Sequence, residues 1–255
     1  MQMQIGLAGK AIIITGAASG IGAAVARASC LSGADHLLLT DRDGPGLQAI
    51  ATELRMPFVQ ADLRNISAPA DIAAATFLHF GRIDGLVNAA GLTTRAAFTD
   101  GTIALWDSLF NVNARAPFFL MQSAIADMLT RQSPGAIVNI QSVNAHCGLP
   151  ELAIYSASKA AVSTLTKNAA HAHMADRIRV NGINLGWVAT ETEDRLQTLA
   201  NGPDWLAKAA ATMPLGRLVE AREAARLVVY LLSDTSAPLS GTVIDLEQKV
   251  TGAPG

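Results

Sequence analysis

Short apolar runs alternate with longer amphipathic ones along most of the chain. Residues 10–15 read K-A-I-I-I-T, a β-branched run cut off by Gly16, which is the pattern of a strand buried on both faces. An alanine-rich helix is predicted over 20–32, a second strand over 36–40 ending at Asp41, a helix over 46–55, and a third strand over 57–60 before Asp62. The alternation continues with a helix over 70–80, a strand over 85–88 and helices over 103–110 and 114–131. A strand over 136–141, a helix from Tyr155 to about 173, a strand over 178–184, a helix over 221–233 and a strand over 242–245 complete it. Strands that alternate with helices predict one doubly wound parallel sheet with helices on both faces. No repeat, linker or low-complexity stretch interrupts the pattern, so 1–255 is read as a single domain. The segment 190–214 falls outside the alternation and is expected to form a substrate lid.

Composition narrows the function classes. Half of the 255 residues are hydrophobic and 16% are charged, which suits a filled core. A net charge of −2 gives no electrostatic surface for nucleic acid or for an anionic membrane. Cys30 and Cys147 have neither metal-type spacing nor a disulfide framework, and no metal site is expected. There is no basic segment leading into a long apolar run at the start, and no apolar run spans a bilayer. A soluble, cytoplasmic globule is the expectation.

The chemistry gathers where predicted strands end. After the first strand comes Thr15-Gly16-Ala17-Ala18-Ser19-Gly20-Ile21-Gly22. Glycines there let the backbone approach a pyrophosphate while the next helix presents free N–H groups and its positive end. Asp41 suits hydrogen bonds from an adenosine ribose and would repel a 2′-phosphate, favouring NAD over NADP; Arg42 beside it argues the other way. Asp62 is placed to meet adenine, and Asn88-Ala89-Ala90-Gly91 offers small residues for close backbone approach. Ser142 follows the strand A-I-V-N-I-Q, with a hydroxyl able to donate to a carbonyl and accept from an alcohol. In Tyr155-Ser156-Ala157-Ser158-Lys159 a phenol and an ammonium share one helix face. A neighbouring cation draws a phenol from about 10 toward the working range of a proton-transfer group.

In order and spacing, T-G-A-A-S-G-I-G, Asp41, N-A-A-G, the asparagine of F-N-V-N, Ser142 and Y-S-A-S-K resemble the short-chain dehydrogenase/reductases, from Lys10 to Asp245. The resemblance implies a Rossmann-type seven-stranded sheet ordered 3-2-1-4-5-6-7. It implies Tyr155 as general acid/base, Lys159 lowering its pKa and holding the nicotinamide ribose, Ser142 holding the substrate oxygen, and Asn113 supporting a proton relay to Lys159. It implies NAD contacts from Thr15, Gly16, Ser19, Gly20, Ile21, Gly22, Asp41, Arg42, Asp62, Leu63, Asn88, Ala89, Ala90, Gly91, Tyr155, Lys159, Gly186, Val188 and Thr190.

Two places depart from the family pattern: Asn184-Leu185-Gly186 where Pro-Gly is common, and Asp245-Leu246-Glu247-Gln248 where Asp-Gly-Gly often follows the last strand. Thr93, Thr94, Arg95, Asn144, His146, Glu151, Trp187, Glu191 and Glu193 lie near the expected mouth. Of these, Thr94, Arg95, Asn144, His146, Glu151 and Trp187 are the candidate substrate residues. Such groups would be left unpaired by an apolar ligand, so a sugar, polyol or sugar acid is expected. The competing reading is an NAD(H)-binding redox sensor without useful turnover. Phe118, Phe119, Leu120, Met121, Ile125 and Met128 on the helix over 114–131 suggest more apolar surface than one sheet face covers, hence a homodimer or homotetramer.

Overall fold

A computed structural model describes residues 5–250; the ends of the predicted domain, 1–4 and 251–255, lie outside the described residues. In chain order the elements are β1 (Ala11–Thr15), α1 (Gly20–Leu31), β2 (His36–Asp41), α2 (Gly44–Leu54), β3 (Phe58–Gln60), α3 (Ala68–Phe80), β4 (Gly85–Asn88) and α4 (Ile103–Phe110). They continue as α5 (Ala116–Thr130), β5 (Gly135–Ser142), α6 (Ala153–His173), β6 (Ile178–Leu185), β7 (Val188–Ala189), α7 (Glu191–Asn201), α8 (Trp205–Ala211), β8 (Val219–Glu220), α9 (Ala221–Leu232) and β9 (Val243–Leu246). Seven strands form one sheet in the order β3-β2-β1-β4-β5-β6-β9, every pairing parallel.

The β-branched runs explain why both faces are covered. Successive strand residues point to opposite faces. Ile12 and Ile14 join Leu37, Leu39, Val138 and Ile183 under α1 and α9, while Ile13 joins Leu38, Leu86, Ile137 and Val180 under α3 and α5. A run with no polar alternation therefore has to sit between two helix layers. Arg179 on β6 ties one layer down: its buried guanidinium donates to the carbonyls of Leu231 (2.7 Å) and Ser233 (2.9 Å) and to Ser236 Oγ (2.6 Å), just past the C-terminus of α9. Those carbonyls have no intrahelical donors, and a cation suits that end of the dipole.

Two expectations, the start of the helix at 114 and the apolar surplus on it, are corrected. The helix predicted from 114 does not begin there: α4 runs through a π-helical turn, Asn111–Arg115, straight into α5. Pro117 has no N–H for the Asn113 carbonyl four residues back, so an α-helical bond at that step is impossible. The segment 190–214 is two helices joined at Gly202-Pro203, and the flanking pair β7–β8 was not foreseen because two-residue strands carry no periodicity. Of the six apolar residues on α5, Leu120, Met121, Ile125 and Met128 are buried in this chain's own core, which leaves only Phe118 and Phe119 part-exposed. The apolar face offered for self-association is smaller than the sequence suggested.

Replacing Arg179 with Met should lower unfolding stability by roughly 3 kcal/mol, because all of the buried guanidinium's hydrogen bonds to the end of α9 are lost together. Urea denaturation measures this; a loss below about 0.5 kcal/mol would show that the cap contributes little.

Candidate active site

Ser142, Tyr155, Lys159 and Asn113 are delivered to the carboxyl edge of the sheet by three different elements. β5 ends at Ser142; Tyr155 and Lys159 stand one turn apart on α6; Asn113 sits in the π-helical turn. A hydrogen bond links Ser142 and Tyr155, and Ser142 Oγ also accepts from the Asn144 backbone N–H (3.2 Å) and Nδ2 (3.1 Å). Lys159 Nζ lies 5.9 Å from the Tyr155 ring centre and donates to the Ile140 carbonyl at 3.0 Å. Asn113 is fully engaged: Oδ1 accepts from Leu92 N (2.8 Å), and Nδ2 donates to Leu92 O and to Ser158 Oγ (both 2.9 Å). Asn111 instead accepts from Arg115.

The electrostatics differ from the expectation. Burial raises the Tyr155 phenol above its ordinary value; the Ser142 hydrogen bond pulls it down, and the charge of Glu193 pushes it up. The Lys159 ammonium is itself buried and is drawn down to about 8 by that burial.

At the cofactor end the backbone is packed too closely for side chains. A Cβ on Gly16, whose φ is +69°, would fall 2.8 Å from Ala90 N, and one on Gly22 would overlap the Gly16 carbonyl. The α1 N-terminus is thereby left bare, with Ser19 exposed and making no side-chain capping bond. Gly91 packs closely over Lys159 and Asn113: a Cβ there would lie 3.2 Å from Lys159 Nζ and 3.6 Å from Asn113 Oδ1. These features fit a nicotinamide dinucleotide, whose phosphates need exposed N–H groups and close backbone approach. Asp41 accepts from Ala18 N (3.1 Å) through one oxygen and from Asp43 N (3.0 Å) through the other. Ile21 is part-buried behind the glycine turn, and Asn88 is buried, donating to Asn139 Oδ1 at 2.8 Å while its own Oδ1 has no partner.

Several expected contact residues have other work in the structure. The Thr15 hydroxyl is buried and accepts from Ala89 N and Ala90 N, both at 3.0 Å, so it ties β1 to the loop after β4. Asp62 is clasped by Arg64 and sits near Arg42; the buried Leu63 gives its carbonyl to Arg115. Gly186 N–H donates to Leu246 O, Val188 pairs with Val219 and Thr190 caps α7. Thr190 lies against Gly20, and the neighbouring Glu191 accepts from the Gly20 N–H at 3.3 Å, so the start of α7 touches the glycine turn.

The mouth is polar, as expected. Arg95 pairs with Glu151 at 2.8 Å because the loops carrying them meet at an Ala96–Leu152 bridge, and Thr94 is exposed beside them. His146 Nε2 lies 3.1 Å from Asp245 Oδ2 and from Asn184 Nδ2, which also donates to Asp245 Oδ1 at 2.8 Å. Asn184 and Asp245 were not foreseen as partners of His146, since only sheet neighbourhood joins residues so far apart in sequence. Trp187 Nε1 donates to Glu193 Oε1 at 2.8 Å.

A family model described as enoyl-(acyl carrier protein) reductase matches residues 16–248. The chain belongs to the short-chain dehydrogenase/reductase family. This short-chain dehydrogenase/reductase is 34% identical to the D-xylose 1-dehydrogenase of Caulobacter vibrioides over 92% of this chain and 93% of the relative. It is 32% identical to the gluconate 5-dehydrogenase of Gluconobacter oxydans, covering 96% of each chain. A solved structure from Beutenbergia cavernae, provisionally named an NAD(P)-dependent gluconate 5-dehydrogenase and containing NADP at low occupancy, superposes with a TM-score of 0.87. It is 31% identical, over 96% of this chain and 98% of that one. The family places this protein among the alcohol/ketone oxidoreductases that use nicotinamide cofactors. No helix among the described residues is long and apolar enough to cross a membrane.

The buried ammonium yields a testable sign. Its pKa falls from 10.5 in the unfolded chain to about 8 on folding, so folding carries a penalty that is full below pH 8 and vanishes as pH rises past 10.5. Lys159→Met should therefore be more stable than the parent near pH 7, by about 1 kcal/mol or more, with the gap closing between pH 8 and 10.5. Denaturant midpoints across that range are the measurement; a variant less stable at pH 7 would contradict it.

Proposed function

We propose that the protein interconverts a secondary alcohol and a ketone with NAD(H), on a sugar, polyol or sugar acid, with Tyr155 as general acid/base. The observation that carries this reading is the meeting of Ser142, Tyr155, Lys159 and Asn113 beside Gly91. The backbone of Gly16–Gly22, Asp41, Asn88–Gly91, Lys159 and Gly186–Thr190 would hold the cofactor. When bound, the nicotinamide supplies or receives the hydride.

The chain's own task is the proton. The Tyr155 phenol gives a proton to the substrate oxygen in reduction and takes one from it in oxidation. The Ser142 hydroxyl holds that oxygen and, by its hydrogen bond, stabilises the phenolate against burial. Asn113, anchored on Leu92 and Ser158, positions the loop over Lys159. The segment 190–214 closes the pocket as a lid, and Trp187 gives a flat apolar face to a sugar ring.

The NAD preference rests on Asp41, a carboxylate that opposes a 2′-phosphate; the NADP in the Beutenbergia cavernae structure makes the choice an experimental one. The sugar reading draws on the polar mouth and on the sugar and sugar-acid dehydrogenases among the relatives. A cytoplasmic homodimer or homotetramer completes the proposal, with exposed Ile103 and Trp106 on α4 and Phe118 and Phe119 on α5 as the apolar surface to be covered.

Tyr155→Phe should lower turnover by roughly 10²-fold or more while NADH still binds; near-parental turnover would remove the acid/base assignment. Fluorescence titration should show tighter binding of NADH than of NADPH, and equal affinity would mean that Asp41 does not select. Light scattering at micromolar concentration should report more than one chain per particle; a monomer would refute the assembly.

A further inference from the structure

The first turn of α7 carries three acids, Glu191, Glu193 and Asp194, and each goes a different way. Glu191 reaches the Gly20 N–H, and Asp194 accepts from Trp205 Nε1 at 2.9 Å. Glu193 stands three residues after the capping Thr190, the position from which a glutamate ordinarily reaches back to the cap's own N–H. It does not do so. The Thr190 hydroxyl accepts from Glu193 N at 3.2 Å, but the Glu193 side chain turns away, and its Oε1 accepts from Trp187 Nε1 and Gln197 Nε2, both at 2.8 Å. Gln197 is buried and is steadied in turn by Asn201 Nδ2 at 2.6 Å.

Two neutral donors thus fix one oxygen of a half-buried carboxylate. The other oxygen has no hydrogen-bond partner, and no lysine, arginine or histidine among the described residues pairs with Glu193. Trp187, which holds this carboxylate, lies two residues after Leu185, the β6 residue opposite Ser142, so Glu193 stands at the sheet edge that carries Ser142. The cations that a sugar acid would seek here are committed elsewhere: Arg95 to Glu151, and Lys159 to the Ile140 carbonyl beneath the pocket.

We infer that Glu193 is a specificity-determining residue: its unpaired oxygen accepts hydroxyl hydrogens from a neutral sugar or polyol, and its charge keeps sugar acids out. This rests on the oxidoreductase reading above and narrows its substrate class. A carboxylate substrate would bring like charge toward a fixed, partly desolvated anion, whereas a neutral polyol satisfies the lone pairs that Trp187 and Gln197 leave over.

The test compares pairs that differ in charge on the same carbon skeleton: glucose and glucitol against gluconate, galactose and galactitol against galactonate. For the parent protein kcat/KM should favour the neutral members by about tenfold or more. Added salt should raise the rate for the anions, by screening, and leave the neutral ones unchanged. Glu193→Gln keeps the oxygen that Trp187 and Gln197 use. It should shrink the discrimination by about tenfold, mainly through a lower KM for the anions.

A parent protein that uses gluconate or galactonate as well as their neutral partners overturns the inference, as does a Glu193→Gln ratio equal to the parent's. In both cases Tyr155-dependent turnover leaves the oxidoreductase reading intact. Absence of turnover with every member, while other alcohols react in a Tyr155-dependent way, would instead remove the sugar reading and this inference together. If Glu193→Gln fails to fold, the salt dependence of the parent protein decides alone.

Discussion

Keeping a lysine ammonium in the interior without a carboxylate to face it is the constraint from which the site takes its shape. Lys159 is held by one backbone carbonyl, at the end of the strand that also delivers Ser142. The carbonyl can reach the ammonium only because β5 and α6 are packed face to face, which in turn needs strands apolar on both sides. Residue 91 has no side chain to crowd the ammonium, and its loop is kept in place by Asn113, whose amide clamps Leu92 and reaches α6 through Ser158. Pro117 belongs to the same set: by denying a donor to the Asn113 carbonyl it accompanies the wider turn on which that residue sits. A burial cost at one atom is therefore spread over two strands, three helical segments and a loop.

Much of this was legible in the sequence where the physics is local or periodic. The spacing of Tyr155 and Lys159 decides that they share a face, and the run Ile12-Ile13-Ile14 decides that the sheet is covered twice. Legibility fails where one residue type serves two purposes. Thr15 looks like a ligand contact beside a glycine turn, yet a buried hydroxyl next to two free amides satisfies those first. Asp62 ends a strand at the right edge, but an arginine two residues on claims it. The α5 residues Leu120 and Met128 read as surplus until the depth of the α3–α5 layer is known. The pairing of His146 with Asp245 was invisible because β6 and β9 become neighbours only through the order of the sheet.

The two ends of the site have opposite electrical character. The glycine turn presents donors and a helix's positive end, met by the side chains of Asp41 at Ala18 and Glu191 at Gly20. The substrate side presents acceptors, with Glu193, Asp245 and Glu151 outnumbering the one nearby arginine. A ligand spanning the cleft meets a field that favours negative charge at one extreme and hydrogen-rich groups at the other, so orientation is imposed before any side chain moves.

Asp41 has a consequence for anyone who would redesign the coenzyme preference. Its two oxygens hold the amides of Ala18 and Asp43, one in the glycine turn and the other capping α2. Exchanging it for a smaller neutral residue removes a repulsive charge and, in the same act, unlatches both loops. Retargeting this fold thus calls for compensating changes around residues 18 and 43, chosen as a group, because the carboxylate proposed above as selector is also a latch between two loops.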